Sequence, residues 1–201
     1  MNKRLVTAVL IVAASVWGTT VVMAVEAIRK FESTPGQAAL ARASWPAGSG
    51  IVRTPDAWTL VMLVHPQCAC SRASMKELAQ IIEKSPRSLQ TYVLVYRPHD
   101  FAPGWERTEV YRAAASLPRA RVVIDEDGRE AKRFGAFTSG QTFLYDAGGR
   151  LRFSGGITSL RGHGGANRGT ADVIRLARAP AGKATHPVFG CAIVSKTEGG
   201  S

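Results

Sequence analysis

Three cysteines carry the chemistry this sequence offers: Cys68 and Cys70, two residues apart, and Cys191 near the C-terminus. Cys68 follows an apolar, partly β-branched run, Trp58-Thr-Leu-Val-Met-Leu-Val64. It precedes a stretch in which Met75, Leu78, Ile81 and Ile82 recur at steps of three and four. The run suits a strand buried on both faces, and the recurrence suits an amphipathic helix. A thiol where strand hands over to helix meets unpaired N–H groups and the positive end of the helix dipole. These favour the anion and can bring a cysteine from about 8.5 to roughly 3.5–7.5. The expectation is an exposed, ionised, nucleophilic Cys68. Ser71 either donates a hydrogen bond to that thiolate or helps cap the helix.

The other candidates have two readings each. Side chains two apart on a helix diverge, so a Cys68–Cys70 bond requires an unwound first turn. Cys70 therefore either resolves a mixed disulfide or simply packs. Cys191 lies in His186-Pro-Val-Phe-Gly-Cys191, in a tail with no evident structural duty. It either folds back as a resolving thiol or stays free. His65 is a base or ligand, or a structural histidine at the strand end. A glycine-rich stretch, residues 155–169, carries Arg161, His163 and Asn167. Its glycines let backbone approach a ligand closely, although no phosphate-loop or dinucleotide pattern is present.

The elements that must position these groups follow from periodicity. Strands are expected at 58–64, 90–96, 121–125, 142–145 and 151–154, and helices at 70–84, 105–117, 129–134 and 170–179. Alternating strands and helices ending in a hairpin and helix read as an α/β sheet with helices on both faces. Ahead of them, Lys3 and Arg4 precede an uncharged apolar stretch, residues 5–24, matching the ~20 residues that span a bilayer. An uncleaved anchor is expected, with a signal peptide as the rival. The domains so read are 1–30 anchor, 31–56 tether with a short helical stretch at 37–42, 57–179 organised domain, and 180–201 tail. The net charge of +11 comes from scattered arginines and lysines, with no nucleic-acid motif. A solvated basic surface near anionic lipid headgroups is the expected reading, with no nucleic-acid partner.

The strand–cysteine turn–helix unit, Asp125-Glu-Asp-Gly-Arg-Glu-Ala-Lys-Arg-Phe-Gly135 and Thr142-Phe-Leu-Tyr-Asp-Ala-Gly-Gly-Arg-Leu151 together resemble the thioredoxin superfamily. The membrane-anchored, extracytoplasmic branch, TlpA/ResA-like and RedB-type proteins, is the most similar. The resemblance implies a thioredoxin-like sheet and a Cys-x-x-Cys site. Here Cys68 holds the first position of that motif, Ser71 the second, and Cys70 is an extra thiol between them. It also implies a cis-proline before the 142–145 strand. This chain has Gln141 there, after Gly140, so a trans bond and a reshaped substrate groove are expected. The loop bearing Arg161, His163 and Asn167 is expected to border Cys68.

The reading is a membrane-tethered thiol–disulfide oxidoreductase acting on a protein thiol or disulfide, without a cofactor, its globular part on the periplasmic side of the inner membrane. One alternative is a copper(I)- or zinc-binding module using Cys68, Cys70, Cys191 and either His65 or His163. Another is a redox-inactive binding scaffold on the same fold.

Overall fold

A computed structural model describes residues 2–179 and 181–193. The chain divides into two compact units, residues 1–34 and 35–201. The first is α1, Lys3–Ser33, a 31-residue helix with no buried side chain. At 1.5 Å per residue it is about 46 Å long, more than the ~30 Å of a bilayer core. It is long and apolar enough to cross a membrane.

The second unit is built on one six-stranded sheet, ordered β3-β2-β1-β4-β5-β6. The strands are β1 (Thr59–Val64), β2 (Gln90–Arg97), β3 (Ala120–Glu126), β4 (Thr142–Tyr145), β5 (Leu151–Gly155) and β6 (Ala184–Thr185). β1 runs parallel to β2, and β2 to β3. β4 is antiparallel to both β1 and β5, while β6 pairs parallel with β5. The helices are α2 (Ser71–Lys84), α3 (Glu109–Ala115), α4 (Arg129–Phe134) and α5 (Arg168–Arg178). This is the thioredoxin-like arrangement that the resemblance implies, with helices on both faces.

β1 explains its own composition. Leu60, Met62 and Val64 point into a core shared with Met75, Leu78 and Ile81 of α2, Val110 of α3, and Val173 and Leu176 of α5. Val61 and Leu63 point the other way, towards Phe134 of α4, Phe143 and Tyr145. A strand buried on both faces has no polar alternation.

The second face corrects the expected tether. α4 has only six residues, about 9 Å of helix, too short to cover the sheet. Residues 39–51 finish the job. The Trp45 ring sits edge-on to Phe134 and Tyr145, with centroids 5.2 and 5.1 Å away, and Ile51 is buried in the same cluster. Backbone bonds from Leu40 to Gly135 and from Trp45 to Gly149 hold the segment down. No helix forms at 37–42, because these residues spend their hydrogen bonds on the sheet's loops. Alanine and proline content resembles a linker, but a few well-spaced apolar side chains suffice to dock it. The helix expected at 105–117 is shorter, Glu109–Ala115, because turns at 102–107 precede its N-cap, Thr108.

Candidate functional site

Cys68 lies in a series of turns between β1 and α2. Its N–H donates to His65 O (3.1 Å), Ser71 N–H donates to Cys68 O (3.0 Å), and Ala73 N–H to Cys70 O (3.2 Å). Cys70 is the N-cap residue of α2, in helical conformation. Cys68 therefore sits just ahead of the helix, as expected from the sequence.

The expected exposure is corrected. Cys68 is buried, with 2% of its surface accessible, because the tail crosses over it. Cys191 Sγ lies 3.0 Å from Cys68 Sγ, and Cys191 itself is exposed. No S–S bond joins the two sulfurs. The Cys68 thiol titrates at about 4. The hydrogen bond from the Cys191 thiol is the main cause, and burial opposes it. The Cys191 N–H, the Ser71 hydroxyl and the Cys70 N–H add further donors. The same interaction pushes the Cys191 thiol up, reinforced by burial and by the charge on Cys68. The pairing thus favours the thiolate on Cys68 over one on Cys191. Cys70 is raised by burial and by the Cys68 thiolate, and Arg161 partly offsets this.

The tail is held by backbone, not by chance contact. β6 pairs with β5, His186 N–H donates to Ser154 O (3.0 Å), and Gly156 N–H donates to Pro187 O (3.2 Å). Gly36 N–H donates to Val188 O, Ser139 N–H to Cys191 O, and Ile193 N–H to Phe137 O, at 2.8, 2.8 and 2.9 Å. Val188, Phe189 and Ile193 are buried. Two glycines make the crossing possible. A Cβ on Gly190 would lie 1.9 Å from Ser139 O, and one on Gly155, whose φ is +150°, would lie 2.3 Å from His186 O. The glycines at the head of the 155–169 loop thus admit the chain's own tail.

Ser139, which sequence reasoning passed over, joins the turn to the tail. It is 1% exposed. Its hydroxyl accepts from His65 N–H (2.8 Å) and shares a hydrogen bond with Ser71 Oγ (2.8 Å), while its own N–H holds Cys191 O. The signal available was Thr138-Ser139-Gly140, a polar cluster at the position before β4 that the resemblance marks as touching the cysteines.

The other expected residues fall in different places. Gln141 points into the sheet, its amide donating to Thr142 O and Ser154 Oγ at 3.3 and 3.2 Å. It does not line a groove; burial beside β5 recruits it to satisfy that strand. The described peptide bonds are all trans. Gly140 has φ +91°, and its N–H donates to Leu63 O. Arg161 reaches Gly190 O in the tail. Asn167 is turned away from the thiols. It caps α5 through Thr170 N–H (2.8 Å) and donates to the buried carboxylate of Glu77 (3.2 Å), which also accepts from Gly165 N–H (2.6 Å). His163 forms a small bridge with Leu160 in the same loop. His65 stacks on Tyr96 and meets Trp105 edge-on, and its Nδ1 accepts from Gln67 N–H. Its pKa is lowered, mainly by burial. Among the described residues, no group of three or more His, Cys, Asp or Glu side chains is placed to hold a metal ion. A cavity of about 240 Å³ lies beside Cys68, walled by Pro66, Gln67, Arg72 and Thr108. The Arg72–Glu109 ion pair, at 2.9 Å, lies along it.

No protein-family model matches the chain. No curated protein matches it either. Solved structures do share the fold. An uncharacterised conserved protein from Geobacillus kaustophilus superposes with a TM-score of 0.59 at 18% identity, covering 82% of this chain and 93% of that one. A hypothetical protein from Sinorhizobium meliloti gives 0.58 at 19% identity, covering 81% and 96%. A secreted Mycobacterium tuberculosis disulfide oxidoreductase homologous to E. coli DsbE superposes more loosely, with a TM-score of 0.44 at 14% identity over 62% of this chain and 83% of that one. At these identities the likeness is one of fold. The chain has a thioredoxin-like fold in which Cys68, in the turn after β1, faces Cys191 of the segment after β6.

Proposed function

We propose that this protein is a thiol–disulfide oxidoreductase whose redox pair is Cys68 and Cys191, tethered by α1 to a membrane with the second unit on the extracytoplasmic side. One observation carries the reading: two thiols 123 residues apart in sequence stand with their sulfurs 3.0 Å apart. Closing a bond of about 2.05 Å between them asks for a shift of roughly an ångström. Cys191 supplies the second thiol of the pair, which Ser71 cannot. Ser71 instead donates to the Cys68 thiolate. The substrate is a protein dithiol or disulfide, and the cavity beside Cys68 offers room for the residues flanking its cysteines. Lys3 and Arg4 ahead of the apolar stretch support a cytoplasmic N-terminus for α1. An oxidising compartment is where such a pair cycles.

The test is mild oxidation of the full chain in detergent, then peptide mapping without reduction. A peptide joining Cys68 to Cys191 is expected. Catalysed oxidation or reduction of a dithiol peptide should fall to background in both Cys68→Ser and Cys191→Ser. Oxidised protein in which both thiols remain free would overturn the proposal.

A further inference from the structure

We infer that the partner is joined through Cys191: the mixed disulfide of the catalytic cycle forms on the tail thiol, and Cys68 is the internal sulfur that leaves and returns. The inference rests on the Cys68–Cys191 pair proposed above. It assigns the attacked atom, which that pairing leaves open.

Three features of the pair point the same way. Cys191 is exposed, whereas Cys68 keeps 2% of its surface. The two sulfurs face each other, so Cys191 covers Cys68. A thiolate attacks a disulfide in line with the S–S axis, from the side opposite the leaving sulfur. For attack on Cys191 that side faces solvent. For attack on Cys68 it lies beneath the sulfur, where the turn into α2 runs and Ser71 is buried. Backbone bonds on both sides of Gly190, at Val188 and at Cys191 itself, keep the tail in place while this happens. Leaving-group chemistry agrees. A sulfur that departs as a hydrogen-bonded thiolate leaves faster, and Cys68, not Cys191, is the one so stabilised.

The cycle balances. A partner thiolate forms a bond to Cys191 Sγ, and the Cys68–Cys191 bond breaks with its electron pair staying on Cys68. The partner's second thiol, having lost its proton to solvent, attacks the partner sulfur of the mixed disulfide. The partner's disulfide forms, and Cys191 leaves with the electron pair and takes up a proton. The partner has then lost two electrons to the pair, and Cys191 again donates to the Cys68 thiolate. The reverse sequence passes through the same intermediate.

The experiment starts from the oxidised full chain in detergent, shown by mapping to contain the Cys68–Cys191 linkage. It is mixed with excess glutathione, quenched in acid at short times and mapped. Glutathione is expected on Cys191 in about ten-fold or greater excess over Cys68. The ultraviolet absorbance of one thiolate should rise in step with the adduct at mildly acidic pH. Adduct on Cys68 or Cys70 from the earliest time overturns the inference and leaves the pair standing. Absence of the linkage in the oxidised sample sinks the pair and this inference together. Repeating the mapping on Cys70→Ser removes the thiol through which an adduct could migrate; a shift of the adduct from Cys191 to Cys68 in that variant would also overturn it.

Discussion

The two segments that meet at the thiols are built differently. Residues 65–71 are shaped by neighbours in sequence: turn hydrogen bonds one after another, with a strand behind and a 14-residue helix ahead. Residues 184–193 have no local order beyond the two residues of β6. They are held by backbone groups of β5, Gly156, Gly36, Phe137 and Ser139, all distant in sequence. The first segment places the thiol ahead of a helix and gives it the smaller donors, the Ser71 hydroxyl and the Cys70 N–H. The second decides what that thiol does, because it brings the proton donor and covers the sulfur. A thiol placed locally has become one of a pair through long-range packing.

This contrast can be broken from either side. The largest effect is expected at Gly190. In Gly190→Ala the new Cβ meets Ser139 O at 1.9 Å, and overpacking of this kind costs about 1–3 kcal/mol. The tail should lift while the sheet stays folded. Alkylation of Cys68 should then speed up about ten-fold or more, since each 1.4 kcal/mol of lost cover is a factor of ten. Linkage to Cys191 should fall. Unchanged alkylation, measured by mass spectrometry with circular dichroism as the check on folding, would show that the tail does not guard the site.

Ser139→Ala strikes both segments at once. It leaves His65 N–H and the Ser71 hydroxyl without their partner, at a cost of about 1–3 kcal/mol for buried groups. Denaturant unfolding should show that loss, and linkage to Cys191 should weaken. A variant as stable as the parent would mean that water replaces the hydroxyl.

The pH dependence sharpens the comparison, since the two thiols shift in opposite directions. Cys68 in the reduced fold is lowered to about 4, far below the ordinary range of a free cysteine. Its contribution to stability is therefore complete above about 9 and is lost as pH falls towards about 4. Cys191 is raised, so its contribution is complete below the unfolded value and is lost above it. Between pH 5 and pH 8 the reduced protein should gain stability relative to Cys68→Ser, read from denaturant midpoints at a series of pH values. A flat difference across that range would show that Cys68 is not ionised in the fold.

The smallest effect belongs to Ser71→Ala. A single hydrogen bond to the thiolate is removed, worth about 0.5–1.5 kcal/mol, so the Cys68 titration should move up by no more than about one pH unit. A larger rise, followed by thiolate absorbance, would mean that Ser71 and not Cys191 is the principal donor.

Much of this was legible in the chain. Met75, Leu78, Ile81 and Ile82 mark α2 because a helix repeats every 3.6 residues, and β1 is a continuous apolar run because both its faces are covered. Composition makes residues 31–56 look like a tether, yet 31–33 finish α1 and a single Trp45 or Ile51 can anchor a dozen residues. Gln141 and Asn167 look like groove residues in the sequence. In the fold they satisfy β5 and cap α5, since buried polar groups and helix ends must find partners first.

By itself the sequence determined the long apolar helix, the order of strands and helices, and the place of Cys68 ahead of α2. These rest on periodicities and turn chemistry that act over a few residues. Only the tertiary structure decided that Cys191, and not Cys70, faces Cys68, and that the Cys68 sulfur lies under its partner. That pairing is made by backbone hydrogen bonds between segments more than a hundred residues apart in places, which no local pattern encodes.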